Sequence, residues 1–306
     1  MSASSSSERL GMYDNIEYLG GSVAGPAIAD IFTLPEMHEK TLSWNQTFIA
    51  ADTSTFSALY ADGFLGLAFN TIAEPDTSTV VETLMQNGLL DESRFGIYFG
   101  KELNQTSAKP KGLLTVGGSH EDKYVDGDLI RIPLRNESEY QLWRITFSSI
   151  TGKTEGGSNK STKSTHYLGT DGRAVLDTGA GTLQLPTNII SDVYDSIGFN
   201  YTAILKGQHI PLCSEFNSSW SVTFQFGNET GDPALTLTGD QLARPGFANR
   251  NDACWPPFDD SGVNDFALMG VPFVSQFYTV WDFGSTSVAD YNPYVGFGKL
   301  KSSYKP

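Results

Sequence analysis

Apolar and polar residues alternate with a period of two along most of this chain, and no other feature limits its fold so narrowly. Successive side chains of a strand point to opposite faces, so such alternation buries one face of a sheet and wets the other. "NIEYLGGSVAG" and "PAIADIFTL" read as two strands around a glycine-rich turn. "FGIYFG" and "GLLTVGG", then "QLWRITFSSI" and "WSVTFQFG", read as further strands, and "FYTVWDFGSTSVADYNPYVGFGKL" as a closing hairpin. Two segments carry helical spacing instead. "DTSTVVETLMQNG" sets Val80, Val81, Leu84 and Met85 on one face, with Thr77 or Ser78 as its cap and Gly88 as its stop. "PTNIISDVYDSIG" does the same with Ile189, Ile190, Val193 and Ile197, and Gly198 stands at its end. The expected fold class is therefore all-β with a few short helices. The 306 residues, 39% of them hydrophobic, suffice for one large domain or two lobes of about 150 residues each.

Charge and composition remove several classes of function. The formal net charge is −15, and no basic cluster stands out beyond the sparse loop "KTEGGSNKSTK", so a nucleic-acid partner is not expected. No run of 18 apolar residues exists to span a membrane. The four histidines (38, 120, 166 and 209) are scattered without ligand spacing, so no metal is expected. Neither a G-x-S-x-G elbow nor a P-loop occurs.

Two features speak for the secretory pathway. Glycosylation sequons fall at Asn45, Asn104, Asn136, Asn159, Asn200, Asn217 and Asn228. From 15 Asn and the Ser/Thr frequency, about three would be expected by chance. The chain also has just two cysteines, Cys213 and Cys254. Either they bridge, closing a loop of about 40 residues worth roughly 4 kcal/mol on a chain-entropy model, or they are two buried free thiols. Against this, the opening "MSASSSSERLG" is polar and lacks the apolar stretch of a signal peptide.

The stretch "GRAVLDTGAGTLQLP" (172–186) carries the chemistry. It reads as a strand, an Asp on a glycine-bounded turn, and a second strand. Taken alone, such an Asp is a turn residue that caps its own backbone. It recurs in a larger pattern, however. "AVLDTG" is followed, 93 residues after its Asp, by "ALMG", and the front half holds a match to the second element in "GFLG" (63–66). The same offset from Gly66 points to position −27, upstream of Met1. The chain thus reads as one and a half copies of a two-copy design, with "ESEYQL" (137–142) as the seam.

The ordered blocks "IEYLGGSVAG", "DGFLGLAF" before a helix, "FGIYFG…GLLTVGG", "AVLDTGAGTLQLP" before a helix, and "ALMGVPFVSQFYTVWDF" resemble the pepsin-like aspartic endopeptidases, of fungal type. The resemblance runs from about residue 12 to residue 300. It implies a bilobal acid-protease fold, one catalytic Asp from each lobe, a β-hairpin flap, and a peptide or protein substrate in the interlobe cleft. On that footing Asp177 matches the catalytic Asp of the C-terminal lobe. Thr178 and Gly179 complete its loop, and Tyr18, Gly20 and Gly21 match the flap. Cys213 and Cys254 match the family's half-cystines. Residues 1–138 correspond to a remnant of the N-terminal lobe and 139–306 to the C-terminal lobe. The resemblance also implies a monomer, secreted or vacuolar in its full-length form, preferring apolar residues beside the scissile bond and needing no cofactor.

Three departures accompany it. Ala180 stands where the family often has a hydroxyl residue, and the flap reads Tyr18-Leu19-Gly20-Gly21 rather than Tyr-Gly-Thr-Gly. The N-terminal Asp-Thr-Gly is missing. Asp52 in "AADTSTF" falls in the wrong place for it and reads as a loop residue, and Asp62 in "ADGFLG" as a turn. The expectation is an N-terminally truncated peptidase whose activity as written is doubtful, and whose front lobe exposes strand edges and core. The rival expectation is a non-catalytic, protease-like binding protein.

Overall fold

The computed structural model describes residues 4–18, 20–37, 40–56, 61–100, 112–155, 162–168, 171–227 and 231–305. It is mostly β, as the period-two pattern requires. Two compact units emerge. The first comprises residues 1–93, 137–142 and 286–289, and the second 94–136, 143–285 and 290–306.

In the first unit, β1 (Glu8–Tyr18), β2 (Gly21–Met37) and β3 (Lys40–Ile49) form consecutive antiparallel hairpins, and β4 (Thr53–Ser54) pairs with β2. Gly25 is obligatory in β2. A Cβ there would lie 2.2 Å from the Ala50 carbonyl oxygen. Helix α1 (Val80–Gln86) packs Val81, Leu84 and Met85 inward. Its N-cap is Thr79 rather than Thr77 or Ser78, while Gly88 closes its end at φ 65°, as expected. Ser78 does something else. Its carbonyl accepts from the buried Gln46 amide at 2.7 Å, which ties the approach to α1 onto β3.

In the second unit, β5 (Arg94–Tyr98), β6 (Leu113–Val116), β7 (Ile130–Pro133), β16 (Phe277–Asp282) and β17 (Tyr294–Lys299) form one sheet in the order β6-β5-β16-β17-β7. Residues 94–97 pair with 279–282, so the segment 94–136 belongs with the later part of the chain. A second sheet runs β13-β12-β8-β10-β15-β11-β14, with β9 paired to β8. Its strands are β8 (Arg144–Thr154), β9 (Thr162–Tyr167), β10 (Arg173–Leu176), β11 (Leu183–Leu185), β12 (Trp220–Phe226), β13 (Ala234–Thr238), β14 (Asp259–Asp260) and β15 (Phe266–Met269). In β12, Trp220, Val222, Phe224 and Phe226 are buried and their neighbours less so, which is the alternation read from the sequence. Helix α3 (Ile190–Ser196) lays Ile190, Val193 and Tyr194 into this core, and Gly198 turns the chain at φ 87°. Three shorter helices were not legible: α2 (Glu121–Tyr124), α4 (Tyr201–Leu205) and α5 (Val271–Val274).

Candidate active site

Asp177 sits where a strand ends and a loop begins, and the sheet explains why it is held there. Strand β10 runs parallel to β15, pairing Val175 with Leu268 and Leu176 with Met269. Strand β11 then returns antiparallel on the other side of β15, pairing Leu183 with Met269. The loop 177–182 therefore crosses over the end of β15 from one flank to the other. Ala174, Val175 and Leu176 are buried and fix β10 in the core, so the apolar residues before the Asp hold its turn against the sheet. The Asp177 N–H donates to the Met269 carbonyl at 3.1 Å, and Val271 N–H donates to the Ala180 carbonyl at 2.8 Å.

Gly270 makes the crossing possible. A Cβ at this position would stand 2.0 Å from the Thr182 carbonyl oxygen and 2.5 Å from that of Ala180. Backbone cannot yield by such amounts, so only glycine fits. The Asp177 carboxylate accepts the Gly179 N–H at 2.8 Å, forming an Asx turn that fixes its orientation. Asp177 and Thr178 are half-buried and Gly179 is exposed. The arrangement presents one oriented carboxylate on a turn braced from below.

A related run, Asp260-Ser261-Gly262, tests what the turn alone is worth. Gly262 N–H donates to the Asp260 carboxylate at 2.8 Å, so the Asx turn is the same. Yet Asp260 is exposed and its other partner is the Thr187 hydroxyl at 2.5 Å. It lies in β14, a two-residue strand at the edge of the sheet, rather than on a loop that crosses a strand end. The crossing over β15, not the tripeptide, marks Asp177.

The residues expected at the flap, Tyr18, Gly20 and Gly21, lie in the first unit. Tyr18 ends β1 and is 42% exposed; its ring stacks on Phe64 at 4.9 Å and meets Phe56 edge-on at 5.9 Å. Burial, and the nearby Glu74 carboxylate, push its hydroxyl above the usual tyrosine range. A Cβ at Gly21 would lie 2.8 Å from the Thr55 hydroxyl, and one at Gly20 3.3 Å from the Phe56 ring. Glycines at this turn thus accommodate Thr55 and Phe56 of the same unit. Leu19 lies outside the described residues. Asp52 accepts a hydrogen bond from the Tyr13 hydroxyl at 2.8 Å and Asp62 is exposed in a bend, in keeping with their reading as loop residues.

The front counterpart of "ALMG" behaves differently from it. Phe64 and Leu65 are 49% and 53% exposed, and a Cβ on Gly66 would meet nothing within 4 Å. Phe64, Leu65, Ile72 and Phe48 line an apolar groove of about 1020 Å³ within this unit.

Cys213 and Cys254 form a disulfide, which settles the alternative of free thiols. Among the described residues no group of three or more His, Cys, Asp or Glu is placed to hold a metal ion. No described helix is long and apolar enough to cross a membrane. Of the sequons, Asn45, Asn136, Asn200 and Asn217 are exposed; Asn104, Asn159 and Asn228 lie outside the described residues. Asn200 and Asn217 are already engaged. The first accepts from Ala203 N–H at 2.9 Å as the cap of α4, and the second donates to the Ser214 carbonyl at 3.1 Å.

Comparison with known proteins agrees with this geometry. The eukaryotic aspartyl protease family matches residues 1–290. The chain is 28% identical to pepsin II-1 of Oryctolagus cuniculus over 284 residues, covering 90% of this chain and 64% of that protein. It is 26% identical to cathepsin D of Gallus gallus over 279 residues, 89% of this chain and 64% of the relative. Probable vacuolar protease A of Trichophyton verrucosum is 26% identical over 293 residues, 94% and 66% of the two lengths. The chain thus spans a little under two thirds of the length of these relatives. A family match over nearly all its residues, and an Asp-Thr-Gly turn crossing a glycine-ended strand, place this chain in the eukaryotic aspartyl protease family.

Proposed function

We propose that the protein is an aspartic-type endopeptidase that hydrolyses peptide bonds at acid pH, with Asp177 as one carboxylate of a catalytic dyad. The observation that carries this reading is the crossing of the Asp177 loop over β15, clamped at Gly270. Peptide hydrolysis by water needs a base to take the water's proton and an acid to polarise the carbonyl. Two carboxylates about 3 Å apart cannot both ionise, so they share one proton and supply both functions. The pair titrates as a unit. The Asx turn fits Asp177 for such a role, because it leaves the carboxylate fixed in direction with oxygen lone pairs to spare.

The 306 residues contain one apolar-apolar-Asp-Thr/Ser-Gly sequence, at 175–179. The proposed activity therefore belongs to the whole protein, with the second carboxylate contributed from outside these residues. The same reading makes it a monomeric, glycosylated protein of an acidic vacuolar or extracellular compartment that takes peptide segments of proteins and needs no cofactor. Neither a nucleic acid nor a membrane is part of this reading.

A second reading, a protease-like binding protein without catalysis, is favoured by Ala180 and by the flap, where the commoner hydroxyl residues are missing. The two separate on one assay. A reduced, unfolded protein is incubated with the full protein at acid pH and the products are examined by mass spectrometry. Internal cleavage supports the endopeptidase. Retention of intact peptide without cleavage supports the binding protein and overturns the first reading.

A further inference from the structure

The loop 177–182 is held on its inner side by backbone: Asp177 to Met269, Ala180 to Val271, and Gly270 beneath. A side chain from 63 residues away in sequence also holds it. One guanidinium nitrogen of Arg244 donates to the Gly181 carbonyl at 2.8 Å, and the other terminal nitrogen donates to the Pro256 carbonyl at 3.1 Å. The guanidinium thus bridges the active-site loop and the segment that leads into β14.

That guanidinium is itself anchored. The Arg244 carbonyl accepts the Trp255 N–H at 2.8 Å, Pro245 and Cys254 form a bridge, and Cys254 is fully buried in the disulfide to Cys213. On the far side, the Tyr194 hydroxyl of α3 donates to the Phe258 carbonyl at 2.5 Å and accepts the Phe258 N–H at 3.2 Å. The segment 256–258 is therefore clasped from both ends. Asp259 and Tyr194 are the titratable groups facing Arg244. A planar fork with several donors can span two carbonyls at once, whereas a lysine ammonium at the end of a flexible stem cannot hold both in fixed geometry.

We propose that Arg244 is a positioning residue for the catalytic loop, transmitting the disulfide-anchored segment 244–256 onto Gly181 and so fixing the direction of Asp177. It touches no reacting atom. Its effect falls on the orientation of the carboxylate, where misplacement by a fraction of an ångström lowers turnover more than substrate binding.

The inference rests on the peptidase reading for its kinetic readout only, so the test has two arms. Arg244→Met and Arg244→Lys are made in the full protein. Amide exchange is followed for the loop 178–182, and kcat and KM are measured on a peptide substrate. The expected result for Arg244→Met is faster exchange confined to the loop and segment 256–258, with kcat down about 10- to 100-fold and KM within about twofold. Arg244→Lys, which keeps the charge and one donor at a time, is expected to fall between Arg244→Met and the wild type. Unchanged loop exchange and unchanged kcat in Arg244→Met overturn the proposal, as does a rise in KM alone. If Arg244→Met does not fold, Arg244→Lys decides by the same two readouts. A wild-type protein without hydrolysis, combined with loop exchange that responds to Arg244, overturns the peptidase reading and supports the brace.

Discussion

At the scale of single residues, two glycines make opposite predictions from the same motif. Gly270 is clamped between the carbonyls of Ala180 and Thr182, so Gly270→Ala forces backbone apart. We expect Gly270→Ala to cost about 1–3 kcal/mol or more in denaturant unfolding and to loosen the Asp177 loop. Gly66 closes the corresponding front segment, but a methyl group there meets open space. Gly66→Ala in these 306 residues is expected to stay within about 0.5 kcal/mol of wild type. Equal losses at both positions contradict the contrast. Asp259 offers a prediction by pH. Burial raises its carboxyl above the usual carboxylate range, and Arg244 offsets this in part. A carboxyl whose folded value is raised favours the folded state while protonated, and that contribution is lost as pH rises through the folded value. Asp259→Asn removes this dependence. The melting temperature of Asp259→Asn relative to wild type is therefore expected to climb from below about pH 4 towards neutrality. A difference that is flat, or that falls with pH, contradicts the assignment.

At the scale of elements, the strands were legible where their pattern was local. The β1–β2 hairpin of the front unit, the alternation of β12 and the closing hairpin follow from period two, and the helices α1 and α3 from apolar spacing with a terminal glycine. Asp177 was legible because a strand, a tight turn and a distant apolar-apolar-Gly segment are all visible in order. Arg244 was not. Its contact with Gly181 depends on a fold-back of the chain through the disulfide region, and no spacing near Arg244 announces it. The division into two units has no local signature for the same reason, since the pairing of 94–97 with 279–282 is a long-range register. The N-cap of α1 was misread because Ser78 spends its carbonyl on Gln46, leaving Thr79 at the boundary. Helix α4 was missed because it spans five residues, although its cap has a plain mechanism. Asn200→Ala is expected to destabilise this turn by about 1 kcal/mol, read as faster amide exchange in 201–205.

At the scale of the whole chain, the two halves of the motif are unequally covered. In the second unit Ala174 and Leu176 of β10, Met269 of β15 and the disulfide's Cys254 are buried. In the first, Phe64, Leu65 and Ile72 are about half-exposed along the apolar groove. Such a surface binds apolar dyes, and the 306 residues are expected to enhance the fluorescence of a naphthalene sulfonate, with Phe64→Ser/Leu65→Ser reducing the signal. No enhancement contradicts an exposed groove. The disulfide closes a separation of 41 residues, and replacing both cysteines by serine is expected to cost about 2–5 kcal/mol by urea unfolding.

The central claim is that Asp177 is a catalytic carboxylate rather than a turn residue. Its most direct measurement is the kcat of the full protein on a peptide substrate across acid pH, for wild type and for Asp177→Asn, with folding of both verified by circular dichroism. The account predicts that the asparagine keeps the turn, since its amide oxygen still accepts the Gly179 N–H, and that kcat falls by about a hundred- to ten-thousandfold. A folded Asp177→Asn protein that hydrolyses peptides at the wild-type rate contradicts it.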